Sequence, residues 1–333
     1  MKKLHDLAKL TLSAAVFAGF IFVNPVKSED LKVGFIYIGP TGDHGWTYEH
    51  DQGRKAIEKA LGSKVKTTYV EKVPESADAA RVLTKLASSG HGLIFTTSFG
   101  YMNPTLKVAK KFPKVKFEHA TGYKRSKNVS TYSARFYEGR HVAGLIAGKM
   151  TKTNILGVVA AMPIPEVNRL SNAFCSGAKE VNKNVRCKFS FIGSFFDPPK
   201  AKEAALAQIE AGADVLYAER FGVIEACNEK GVLAISNMSD QSSLGPDTVI
   251  TGPVWDMWPT IKHVVTLVKA GVPTAQDFGG FSYMGKGGSY LAPYHNWDSK
   301  LPASVKAMVE KRKAEMLDGT FRADIDESAP KSD

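Results

Sequence analysis

The sequence predicts an α/β protein made of two consecutive halves, each a parallel sheet covered by helices. Two observations carry that expectation. Apolar, β-branched runs alternate with helix-periodic segments at short intervals, the rhythm of βαβ units. The rhythm then restarts near Ile155, after a glycine-spaced helical stretch at 138–150.

In order, 32–38 is apolar and β-branched, and 46–61 has helical spacing. A strand at 64–71, a helix at 77–88, a strand at 93–97 and a helix at 104–111 follow, with strands at 115–119 and 130–134. In 138–150, Gly139, Gly144 and Gly148 recur at helix-packing intervals, as expected of a helix leading between the halves. The second half reads strand 155–160, helix 167–182, strand 186–192, helix 199–211 and strand 215–218, then helix 223–230 and strands at 232–236 and 249–251. A helix at 258–270, a glycine-rich patch at 279–288 and a helix at 302–317 close the chain, with a polar tail at 324–333 expected to fray.

The first 28 residues read as a secretory signal. Lys2 and Lys3 precede an apolar run from Leu10 to Val23, and Val26-Lys27-Ser28 leads to Glu29. The run is shorter than the roughly 20 residues that span a bilayer. No cysteine lies near the expected cleavage point, so an exported periplasmic protein without a lipid anchor is expected. Hydrophobic residues make up 44% of the chain and mean hydropathy is −0.16, which suits packed globular domains. The formal charge of +11 falls to about +8 without residues 1–28. The lysines are scattered over helix faces, as at Lys107, Lys110, Lys111 and Lys114, and form no nucleic-acid module. Of the three cysteines, Cys175 and Cys187 lie near enough in the predicted order to meet, and an exported compartment permits but does not require a disulfide. Cys227 sits in an apolar helix and reads as a core residue. No metal-ligand spacing occurs, and no cofactor is expected.

Catalytic signatures are missing: there is no G-x-S-x-G elbow, H-E-x-x-H pair or P-loop. The first turn, Gly39-Pro40-Thr41-Gly42-Asp43-His44-Gly45-Trp46, has the glycines of a dinucleotide turn, but Asp43 would repel a pyrophosphate and Trp46 would crowd it. Ligands of open α/β sheets bind beyond the carboxyl ends of the strands. Those positions carry Trp46, Phe99, Tyr101, Phe196, Arg220, Phe221, Met238, Asp240 and Trp255. Aromatic planes with a few directional polar groups suit a flat heteroaromatic molecule.

Four segments resemble the basic membrane protein family, the substrate-binding proteins of ABC importers whose best-known branch takes purine nucleosides. They are Tyr132-Ser133-Ala134-Arg135-Phe136-Tyr137-Glu138-Gly139 with Ala143-Gly144-Leu145-Ile146-Ala147-Gly148, Pro163-Ile164-Pro165-Glu166-Val167, Phe196-Asp197-Pro198 with Gly212-Ala213-Asp214-Val215, and Ser239-Asp240-Gln241. The resemblance implies a type I periplasmic-binding fold, with two Rossmann-like lobes joined by three crossings. The lobes would be 29–136 with about 253–285, and about 137–252 with 286–323. It also implies a ligand between the lobes, a permease partner in the inner membrane and a monomer that is not an enzyme.

The chain departs from the nucleoside branch where the sugar would sit. That branch's Asp-x-Gly becomes Tyr37-Ile38-Gly39, its stacking Phe becomes Trp46, its ribose-holding Asp falls on Met238 and its Lys near Trp255. Met and Trp pair hydroxyls poorly, and each buried unpaired hydroxyl costs about 1–3 kcal/mol. A free purine base, adenine-like, is therefore expected over a nucleoside. Trp46 would stack on it with Phe221 or Phe196 opposite, and Asp240, Asn168, Arg169 or Arg220 would supply hydrogen bonds. The alternatives are a purine nucleoside or sugar receptor of the same fold, and an exported nucleoside-processing enzyme using Glu118, Glu138 and Asp240.

Overall fold

The computed structural model describes residues 30–333. The expected signal segment lies outside the described residues. The first lobe holds β1 (Leu31–Ile36), α1 (Trp46–Leu61), β2 (Val65–Val70), α2 (Ala77–Ser88), β3 (Leu93–Thr96), α3 (Met102–Lys111), β4 (Lys116–Ala120) and β5 (Val129–Tyr132). Its sheet runs β2-β1-β3-β4-β5, all parallel. Helices cover both faces, so the central strand β3 is buried at all four residues.

The second lobe repeats the plan. It contains α4 (Tyr137–Met150), β6 (Ile155–Ala160), α5 (Pro165–Val181), β7 (Arg186–Phe191), α6 (Pro198–Glu210), β8 (Val215–Tyr217), α7 (Val223–Lys230), β9 (Leu233–Ile235) and β10 (Val249–Thr251). Its sheet runs β10-β9-β8-β6-β7, also parallel. The glycines that mark α4 in the sequence are contact points. A Cβ at Gly144 would lie 2.0 Å from the Phe174 carbonyl of α5, and one at Gly177 the same distance from the His141 carbonyl of α4. Backbone meets backbone there, which fixes the rotation of α5 about its own axis.

The chain crosses between lobes at 133–136, again at β11 (Pro253–Trp255), and a third time at β12 (Ser289–Leu291). The last two segments pair antiparallel. This antiparallel pair is absent from the sequence expectation, because three-residue strands far apart in the chain leave no periodic signal. Between them α8 (Trp258–Lys269) packs on α1, while α9 (Ala303–Asp318) packs on α4. Cys175 and Cys187 are joined in a disulfide, and Cys227 is free and buried, its thiol pushed up to about 12 by burial. No helix among the described residues is long and apolar enough to cross a membrane.

The tail at 324–333 lies against the second lobe. Asp333 N–H donates to the Cys187 carbonyl, its carboxylate lies 2.6 Å from Lys179 Nζ, and Glu327 lies 2.6 Å from Arg169. Polar composition suggests a loose end, but here the polar groups find fixed partners on α5 and β7.

Candidate interlobe binding site

Loops after the carboxyl ends of both sheets face each other across a cavity between the lobes, part of it open to solvent. On the first-lobe side, the turn after β1 is tied down by Asp43. Its carboxylate accepts from the N–H groups of Gly45, Thr47 and Tyr48 at 2.8–2.9 Å, capping the otherwise unpaired start of α1. Trp46 follows, and its indole N–H donates to the Thr97 carbonyl at 2.6 Å, which fixes the ring plane at the cavity wall. Ser98 and Phe99 come from the end of β3.

The second lobe contributes Phe195 and Phe196 after β7, Glu219, Arg220 and Phe221 after β8, Asn237 and Met238 after β9, and Ile164, Glu166, Val167 and Leu170 at the start of α5. The Phe196 and Phe221 rings are nearly parallel, 6.3 Å apart at 11°. Glu219 and Arg220 form a buried pair, with Nη2–Oε1 at 2.7 Å and Nε–Oε2 at 2.8 Å. Glu219 also accepts from Ala161 N–H at 3.0 Å, and Arg220 Nη1 donates to the Phe195 carbonyl, so the pair braces the aromatic loop. Asn237 Oδ1 accepts from Tyr217 and Arg140, and its Nδ2 donates to the Glu219 carbonyl. Arg140 lies fully buried between the Phe136 and Tyr217 rings, 4.5 Å from each, and burial lowers its pKa to about 9. Burial also raises the Glu166 carboxyl, opposed by Arg169 and by hydrogen bonds from Thr121 and Ala134 N–H. The lobes meet at His44, whose carbonyl accepts from Ser239 and Gln241 and whose ring stacks on Phe221 at 5.8 Å.

Of the eleven residues expected to contact the ligand, Trp46, Phe99, Phe196, Arg220, Phe221 and Met238 line this cavity. Five are placed elsewhere. Tyr101 is buried and donates to the Val73 carbonyl. Asn168 and Arg169 lie on the other face of α5 and hold Glu327. Asp240 turns outward and pairs with His295 at 2.6 Å. Trp255 is fully buried behind Trp46, stacked on Phe136 at 5.9 Å. Asp43, Glu166, Glu219 and Gln241 line the cavity but do not stand out in the sequence as ligand groups. Glu166 was within reach of the strand-end rule, since Pro165 and Glu166 open the helix that follows β6. The carboxyls of Glu118, Glu138 and Asp240 sit in separate environments, bonded to Ser130, Met284 N–H and His295, and do not form an acid–base pair.

Two parallel-sheet lobes, three crossings and an aromatic cavity between them define a bilobal solute-binding protein. The chain belongs to the basic membrane protein family: the family model for ABC transporter substrate-binding proteins of the PnrA-like type matches residues 30–275. That family is one of receptors, and membership implies a small-molecule ligand and a permease partner. A purine-binding protein of Brucella abortus is 45% identical over 308 residues, 92% of this chain and 86% of that one. A putative ABC transporter glucose-binding protein of Haloferax volcanii is 38% identical over 234 residues, 70% of this chain and 59% of that one. A solute-binding protein structure from Aeropyrum pernix superposes with a TM-score of 0.75 at 21% identity, covering 89% of this chain and 94% of that one, which shows the fold alone.

Proposed function

We propose that the protein is the periplasmic receptor of an ABC importer and binds a free purine base, adenine-like, in the interlobe cavity. One observation carries the reading: the cavity walls are aromatic planes held in place by buried polar groups. Trp46 is fixed by its bond to Thr97, and Phe196 and Phe221 lie parallel on two neighbouring loops that Arg220 ties together through the Phe195 carbonyl. Flat heteroaromatic rings gain most from such walls, about 1–3 kcal/mol per stacked base. Asp43, Glu166 and Arg220 offer the acceptors and donors for a base edge.

The preference for a base over a nucleoside rests on Met238, whose apolar side chain occupies the wall where the nucleoside branch carries an aspartate. Trp255 lends no hydroxyl partner either, being sealed behind Trp46. A ribose hydroxyl placed against the Met238 wall would be buried beside a thioether that cannot replace its bonds to water. The 45% identical relative named for purine binding supports the class of ligand.

Calorimetry with adenine, hypoxanthine, adenosine and glucose tests the reading. Tight binding of a free purine base is expected. Binding of glucose with no response to any purine would replace it with the sugar reading.

A further inference from the structure

Helix α5 has two working faces. Glu166, Val167 and Leu170 face the interlobe cavity. Asn168, Arg169 and Asn172 grip the C-terminal segment: Asn168 Nδ2 donates to the Glu327 carbonyl at 3.0 Å, Asn172 Nδ2 to the carbonyls of Asp326 and Ser328 at 2.9 and 3.0 Å, and Arg169 Nη1 to Glu327 Oε1 at 2.6 Å. The same guanidinium lies 3.9 Å from Glu166 Oε1. Arg169 thus stands between two carboxylates, one in the cavity wall and one in the tail, and it is bonded to the tail. Its Nε is buried without a partner.

We propose that Glu327 is a positioning residue for the cavity: by holding Arg169 on the tail side it keeps the guanidinium from closing on Glu166, and so leaves the Glu166 carboxyl presented to the ligand. The inference rests on the purine reading only for the ligand; the coupling between Glu327 and Glu166 stands on the geometry. With Glu327 uncharged, the nearest unscreened carboxylate for Arg169 is Glu166. Closing the 3.9 Å gap would draw Glu166 into an ion pair and favour its charged form. The other groups bearing on Glu166 stay in place: Thr121 and Ala134 N–H bond to it, and Arg135, Arg140 and Tyr132 act on it through space.

The test uses full-length protein and two readouts. The first is the titration of the Glu166 carboxyl carbon by NMR in ligand-free protein, which needs no purine. The second is adenine affinity by calorimetry. Glu327→Gln should move the Glu166 titration to lower pH and weaken adenine binding about 5- to 20-fold, the lower part of the range for coupled sites. Glu327→Asp should restore both in part. Asn172→Ala loosens the same tail without touching Arg169, and should leave the Glu166 titration where it is. An unmoved titration in Glu327→Gln, or an equal shift in Asn172→Ala, would overturn the proposal. A shifted titration in a protein that binds no purine would uphold the coupling and sink the ligand.

Discussion

The seam between the lobes has two sides, and α1 borders both. Toward the cavity, its start presents Trp46 beside an Asp43 carboxylate with three backbone donors, facing Glu219 with its guanidinium and backbone partners. On the hinge side, one turn further on, Glu49 lines a wider groove with Asp256, Asp240, Trp258 and Tyr290. Glu49 is buried with no donor of its own, and burial, then Asp256 and Asp43, push its carboxyl up to about 9. Both regions hold aromatics and carboxylates. Asp240 and Asp256 in the groove accept from His295 and from Trp258 N–H, but Glu49 is left without a donor, whereas Asp43 and Glu219 are each oriented by several, which is the preorganisation a binding site needs. Composition alone does not separate a site from a gap.

The largest expected effect tests the braced side. Arg220→Ala would leave Glu219 charged and buried, costing about 3–5 kcal/mol of folding stability, and would free the Phe195–Phe196 loop. Chemical denaturation measures the first, and adenine calorimetry of any folded fraction the second. A stable Arg220→Ala protein with full affinity would erase the distinction between the two sides. Trp46→Ala should weaken purine binding by about 1–3 kcal/mol while the protein still folds. Unchanged affinity would make Trp46 a packing residue like Trp255.

The groove side gives the opposite sign. Glu49 keeps its proton in the folded chain up to about 9, whereas the unfolded chain releases it near 4.5. The folded state binds more protons across that window, so this carboxyl costs stability that grows as pH rises through it. Glu49→Gln should therefore stabilise the protein by about 1–3 kcal/mol near pH 7 and by almost nothing near pH 4. Melting temperatures across that range check it, and a loss at neutral pH would mean the carboxylate has a partner after all. The smallest effect belongs to Asp240→Ala. Its pair with His295 is partly exposed, so a change of about 0–1 kcal/mol in stability and none in purine affinity are expected from the same two assays.

Most elements were legible because their signals are local. The α1 and α2 boundaries follow from apolar spacing, and the helix-packing intervals of Gly144 and Gly148 mark α4 as a packed helix, whose partner the structure shows to be α5. The strand-end rule found Trp46, Phe196, Phe221 and Met238 without any contact information. Site expectations failed where a residue's direction depends on packing between distant segments. Asn168 and Arg169 lie at the correct end of α5, but its rotation is set by backbone contact at Gly144 and Gly177, which turns Glu166 inward and them outward. Met238 adopts φ 68°, and the chain turns so that Ser239 reaches His44 while Asp240 points away. Trp255 belongs to the β11–β12 pair that leaves no periodic signal, and the tail's polar residues give no hint that α5 binds them.

The central claim is that the cavity accepts a base and rejects its riboside. Calorimetry of the wild-type protein with adenine and adenosine, under one set of conditions, tests it most directly. Adenine should bind and adenosine should be weaker by about tenfold or more, the cost of one or more unpaired hydroxyls. Adenosine binding as tightly as adenine would contradict the account, because Met238 would then not be a barrier to the sugar.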